Sequence, residues 1–380
     1  MFGGRPLSFR FDRLPHIAGM SGQERTVRLM KTGVSVYFSA GRKRNEEIIE
    51  RARRAGATMA FTSMHIPEEE GVDYERDARH LLSLLRDAGI SLIVDVGPET
   101  YGKLGCKRIE ELADLGITHV RLDYGFTPEE TVRLSKTFHI VCNASTVSKA
   151  EIAAWRAAGA DFSRFAACHN YYPKQHTGLA LEDVRAMNDR LSAYGFETIG
   201  FVPGDGELRG PLHEGLPMIE EHRGRKGDVA LNMLEAAFAA GCDCVLVGDP
   251  DLTDASWERF AQVSAGFVEL RCELEEGYGY LCGQVHHDRP DSSAQIIRSQ
   301  ESRTSLKPAR SIKPDAHAGD ERAAGSIAVS NSAYLRYEGE LEIARVDVPG
   351  DARMNVVGAV CAEDKRFLPY VRDGFGFKLV

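Results

Sequence analysis

A (β/α)8 barrel, an α/β fold of the TIM-barrel type, followed by a small β domain, is what this sequence predicts, on three observations. From Val34 onward, short β-rich runs alternate eight times with amphipathic segments of helical spacing. Six helical segments stop at a glycine with the next strand close behind: Gly56, Gly89, Gly116, Gly159, Gly195 and Gly241. Glycine tolerates the left-handed backbone that ends a helix. Polar residues follow nearly every strand, while the first strand-to-helix turn, "SAGRKRNEE", has no glycine-rich dinucleotide fingerprint. A doubly wound sheet would also alternate. A rim that is polar all round favours the closed barrel, whose site is built from all its C-terminal loops.

Taken in order, residues 1–33 read as a loosely ordered extension. They lack the continuous apolar core of a secretory signal, and "MKTGVSVYFS" would begin the fold well. The eight strands are "VSVYFS", "TMAFTSMH", "SLIVDVG", "HVRLDYG", "HIVCNAS", "FSRFAACH", "ETIGFVPG" and "CDCVLVGD". Between them lie helices such as "NEEIIERARRAG", "YERDARHLLSLLRDAG" and "SKAEIAAWRAAG". The last helix, "SWERFAQVSAGFVELRCELEEG", is expected to run to Gly277. Residues 34–272 are assigned to the barrel and 273–380 to the β domain, a normal size for a small domain. Its first part is polar and broken by proline and glycine; "SIAVSNSAYLRYEGELEIARVDVPG", "NVVGAVCAED" and "GFGFKLV" then read as strands.

Composition narrows the function. The formal charge of −9 argues against a general nucleic-acid partner, which would normally meet a basic face. No run is long and apolar enough to cross a bilayer, so no membrane partner is expected. Eight scattered cysteines read as reduced thiols in a cytoplasmic protein. "CDC" at 242–244 is not metal spacing, there is no H-E-x-x-H, and "HHD" at 286–288 reads as a surface turn. No metal or cofactor is expected.

Strand-end residues of a barrel converge on one face. Here they are Tyr37 after strand one, His65 after strand two, Asp95, Asp123, Asn143 and Ser145 after strands three to five, and Asp249 after strand eight. Strand six ends in "AACHNYYPKQHTGLA", where His169, Asn170 and Tyr172 offer hydrogen bonds and a flat face for a polar ring. A lone aspartate at a strand end is as often a helix cap as a catalyst. Several on one rim shift one another's pKa values and so separate a proton donor from a base. The loop after strand seven, "GDGELRGPLHEGLPMIEEHRGRKG", is long and carries Asp205, Arg209, His213, Glu214, Glu220, His222 and Arg223. Barrels often bind phosphate in the loops after strands seven and eight, and arginine grips phosphate with two parallel bonds. Lys174 leaves a Schiff-base sugar-phosphate lyase open, ranked below hydrolysis.

The stretches "FTSMHIPE", "RLDYGF", "NAST", "ACHNYYPKQHTGL", "GPLHEGLPMIEEHR" and "VLVGD", with "RYEGELEI" and "NVVGAV" near the end, together resemble the bacterial 6-phospho-N-acetylmuramidases. The resemblance runs from Val34 to Val380. It implies a barrel followed by a cyclophilin-like β domain, and a cytoplasmic exo-acting hydrolase of cell-wall (peptidoglycan) recycling. The implied substrate, and the partner expected here, is the phosphorylated amino-sugar disaccharide N-acetylmuramic acid 6-phosphate–N-acetylglucosamine. The chain departs from the family pattern at Tyr171, where phenylalanine is common, at Met218, where threonine is common, and at Lys174 and Gln175, which replace an arginine-containing pair.

Glycoside hydrolysis needs one carboxylic acid to protonate the leaving oxygen and one carboxylate as nucleophile or base. Asp123 is expected as the carboxylate below the ring, Glu214 as the acid and Asp95 in reserve. Arg209, His213, His222 and Arg223 are the expected 6-phosphate contacts. The alternative is a sugar-phosphate-binding or regulatory protein without catalysis. A homo-oligomer is left open.

Overall fold

The computed structural model describes residues 30–63, 74–96, 100–122, 125–304 and 311–380. Eight parallel strands close into a barrel in chain order: β1 (Lys31–Ser35), β2 (Met59–Ser63), β3 (Ser91–Val96), β4 (His119–Leu122), β5 (His139–Asn143), β6 (Phe165–Cys168), β7 (Glu197–Val202) and β8 (Cys244–Val247). β8 pairs back onto β1, so the barrel has no free edge. All six helix-ending glycines adopt positive φ. Two helices open with a reciprocal cap: Thr127 and Glu130 start Pro128–Ser135, and Ser148 and Glu151 start Lys149–Ala157.

β1 begins at Lys31, inside the segment expected to be loose. Lys31 Nζ meets Glu197 at the foot of β7 (2.8 Å), and a Cβ on Gly33 would lie 2.2 Å from the Met59 carbonyl oxygen. Neighbouring strands at Gly33 therefore approach more closely than any side chain allows.

His119 and His139, the first residues of β4 and β5, stack with ring centroids 4.7 Å apart. Burial, with His139 adding, depresses His119 to about 3, and burial with Arg164 lowers His139 from its usual 6.5. Each ring is less basic folded than unfolded, so the unfolded chain binds protons first as pH falls. Stability is expected to be full above about pH 6.5 and to decline from there toward pH 3. Urea unfolding at pH 7.5 and 5 measures it. Replacing both histidines with asparagine should flatten the decline; an unchanged decline would contradict the assignment.

The segment expected as one helix to Gly277 divides. The helix Asp254–Ser264 stops before Gly266 (φ 84°), and two strands follow: β9 (Phe267–Leu270) and β10 (Cys272–Leu274). Val268 and Leu270 are buried and Phe267 and Glu269 half-buried, a two-residue period that the preceding helical spacing obscured. The remaining strands are β11 (Val285–His287), β12 (Ile296–Arg298), β13 (Ser326–Ser330), β14 (Leu341–Ala344), β15 (Met354–Val360) and β16 (Gly376–Leu379). They form a five-stranded sheet in the order β10-β15-β13-β14-β12 and a three-stranded sheet in the order β11-β16-β9. "HHD" at 286–288 is not a surface turn: His286 and Asp288 are fully buried. Among the described residues, no helix is long and apolar enough to cross a membrane.

Candidate active site

Register builds the centre of the site. Ser63, Asp95 and Arg121 stand side by side on β2, β3 and β4. Partners across a parallel sheet share a face, and these side chains meet. Ser63 Oγ donates to Asp95 Oδ2 (3.3 Å), and the Arg121 guanidinium lies 3.7 Å from the same oxygen. Arg121 also donates to Asn170 Oδ1, which takes a second bond from Asn143 Nδ2 (3.4 Å). Asn143 Oδ1 accepts the Ser145 amide (3.0 Å). Residues from five successive strand ends therefore form one polar network. Arg121 is a buried cation, and Asp95 and Asn170 help replace the water it has lost.

An aromatic layer adjoins this network. The Tyr171 ring packs edge-on to Phe61 (6.2 Å) and Phe201 (5.2 Å), contacts each worth about 0.5–1.5 kcal/mol beyond area burial. Beside it, the Tyr37 hydroxyl donates to the Gly248 carbonyl. Burial pushes both phenols up, so they act as neutral hydrogen-bonding groups. The Arg209 guanidinium stacks 4.2 Å above the Tyr37 ring, and among the described residues no carboxylate pairs with it. It is a cation available to an anion.

The loops after β6 and β7 are bonded to each other. The Tyr172 amide donates to the Pro217 carbonyl, Leu179 to Met218, and Glu220 to Leu179. The Glu220 carboxylate accepts the His176 (2.9 Å) and Gly178 (2.7 Å) amides. Gly178 has to be glycine, because a Cβ there would lie 2.5 Å from Glu220 Oε2 and 2.9 Å from its backbone. Arg223 donates twice to Glu220 (2.7 and 3.0 Å), holding its carboxyl down at about 2. The rest of the Arg223 guanidinium reaches the carbonyls of Tyr172, Lys174, Glu214 and Gly215. Glu214 is thereby fixed, and its half-exposed carboxylate accepts a bond from Gln175 Nε2 (2.6 Å).

Several other expected substrate contacts have partners within the protein. Asp249 is buried and accepts three backbone amides, from Gly204, Arg209 and Leu216. Its carboxylate braces the loops after β7 and β8. Asp205 caps the helix Asp254–Ser264 through Thr253 and Ser256. His169 is buried and bonds Asn188 of the following helix (2.8 Å). His222 is fully buried against Glu235 (2.9 Å), and Arg223 and Glu220 are spent on the loops. His213 stays exposed, one ring nitrogen on the Leu208 carbonyl. Asn170, Asn143, Ser145, Tyr37 and Asp95 lie together as described; Tyr172 is half-buried beside them, its backbone tied to both loops. His65 and Asp123 lie outside the described residues. Arg121 was missed, and Tyr171 and Gln175 stood out only as departures from the family pattern. A cation between Val120 and Leu122 inside a barrel strand is a signal that could have found Arg121.

Family models for the two domains of one enzyme match the chain: "6-phospho-N-acetylmuramidase, N-terminal" over residues 32–262 and "6-phospho-N-acetylmuramidase, C-terminal" over residues 268–380. Among solved structures, a conserved Enterococcus faecalis protein of unknown function is 30% identical with a TM-score of 0.66. That match covers 92% of this chain and 96% of the other. An uncharacterized B. cereus protein shares the fold at 22% identity and a TM-score of 0.67, covering 92% and 99%. No curated protein matches.

Proposed function

This chain belongs to the 6-phospho-N-acetylmuramidase family and is a glycosidase of phosphorylated muramic sugar; from that premise we propose that it cleaves N-acetylmuramic acid 6-phosphate–N-acetylglucosamine to its two monosaccharides, in the cytoplasm, as a step of peptidoglycan recycling. The observation that carries the reading is Arg209, a guanidinium without a carboxylate partner among the described residues, laid on Tyr37. Its natural complement is the doubly charged 6-phosphate, gripped by two parallel bonds. The exposed His213 is the second contact.

Glu214 is the proton donor to the leaving sugar oxygen. Asp123 keeps its assignment as the carboxylate facing the anomeric carbon, acting on it directly or by orienting the 2-acetamido group. Asp95, with Arg121 beside it, orients the ring's polar substituents together with Asn143 and Asn170. Asp205, Glu220, His222, Arg223 and Asp249 build the loops and do not touch the sugar. Incubation with the phosphorylated disaccharide followed by chromatography tests the reading: two monosaccharides are expected. Binding without cleavage would instead support a sugar-phosphate-binding protein.

A further inference from the structure

The second domain meets the barrel on the helix Val229–Leu234 and the π-helical turn Glu235–Ala239 that continues it. Arg366 pairs with Asp228 at the start of that helix (2.6 Å), and the Phe375 ring meets Phe238 edge-on (5.4 Å). Between these contacts the Tyr370 hydroxyl donates to Glu235 Oε1 (3.1 Å). The other oxygen of Glu235 takes His222 Nε2 (2.9 Å) and the Arg225 guanidinium. π turns recur at functional sites, where the extra residue re-aims side chains. Here Glu235 and Phe238, both in the π turn, face the second domain.

Glu235 is ionised, held at about 2 chiefly by the His222 bond, and burial keeps His222 less basic than usual. A neutral His222 then donates from Nε2 to a charged acceptor, a bond stronger than a neutral pair makes. His222 is next in the chain to Arg223, whose guanidinium holds the carbonyls of Glu214 and Gly215 on one loop and of Tyr172 and Lys174 on the other. Contacts therefore run without a gap from the second domain to the backbone of the proposed acid.

We propose that Glu235 is a positioning residue for Glu214: the second domain holds Glu235 through Tyr370, Glu235 holds His222, and the short helix Glu220–Arg223 carries that constraint to both loops. The proposal gives the second domain a part in catalysis and rests on the reading of Glu214 as the acid.

The test compares two substrates. One is the phosphorylated disaccharide, whose sugar leaving group needs a proton; the other is a nitrophenyl glycoside of the same phosphorylated sugar, which leaves with little protonation. Glu235→Gln is expected to lower kcat on the disaccharide about tenfold, because a small displacement of a catalytic group is costly. KM and turnover of the nitrophenyl glycoside stay within about twofold of wild type on the same ground, since neither depends on the acid's placement. Tyr370→Phe, which removes one oxygen and leaves the packing, shows the same pattern more weakly. Equal losses on both substrates, a change in KM alone, or no change in either variant would overturn the proposal. Glu214→Gln separates the two readings. If it fails to discriminate between the substrates, the acid assignment is wrong; if it discriminates and Glu235→Gln does not, only the positioning role fails.

Discussion

Glu214→Gln is expected to lower kcat on the phosphorylated disaccharide by about 10²–10⁴-fold, the range typical of losing a general acid. The replacement keeps shape and volume, and an amide can still bond Gln175, so the loops should stay as they are. KM should change little, because the carboxyl proton matters only as the glycosidic bond breaks. Turnover of a nitrophenyl glycoside should be nearly spared. A large loss on both substrates would instead make Glu214 the carboxylate that attacks or stabilises the anomeric carbon.

Arg223→Ala carries the second large effect, and it separates a scaffold from a phosphate ligand. The replacement removes two bonds to Glu220 and four to backbone carbonyls, all beneath loops that leave Arg223 only 9% exposed. Glu220 is partly exposed and keeps the His176 and Gly178 amides, so the cost falls mainly on the backbone carbonyls left without a donor, about 1–3 kcal/mol. A lower urea midpoint and a kcat reduced about 100-fold are expected, since both loops lose their common anchor. Arg223→Lys should fall between, because an ammonium keeps the charge but cannot form the planar double bond to Glu220. Unchanged stability with a raised KM for phosphorylated substrates would return Arg223 to the phosphate site.

The barrel was legible because its signals are local and repeat. Hydrophobic alternation and glycine-terminated helices each report on a few neighbouring residues, and they agree six times over. The site was harder to read, for reasons that particular residues make plain. His169 and Asn170 are adjacent and both polar, yet a strand end sends them to opposite faces: Asn170 to the polar network and His169 to Asn188. Sequence marks the chemistry of such a pair but not which member points inward. Asp205, Asp249, Glu220 and Arg223 read as substrate contacts because they are charged and crowded. Many of their bonds are to backbone atoms, whose positions no sequence pattern displays. Arg121 has no motif of its own, and its role shows only when Asp95 and Asn170 are seen around it. In the second domain, "FVELRCEL" continued a helical pattern, and only pairing with β16 and β15 makes it β9 and β10.

The two-ended character of the site, an acid on a braced loop and a guanidinium waiting on Tyr37, is the centre of this account. Its most direct measurement is kcat/KM for the disaccharide with and without its 6-phosphate, in the wild-type chain and in Arg209→Ala, with the released sugars identified by chromatography. The account predicts that the wild-type chain releases two monosaccharides and prefers the phosphorylated substrate by about 100-fold, as a charge-assisted double bond should give. In Arg209→Ala most of that preference is lost. No cleavage of either substrate, or a preference left intact without Arg209, would contradict it.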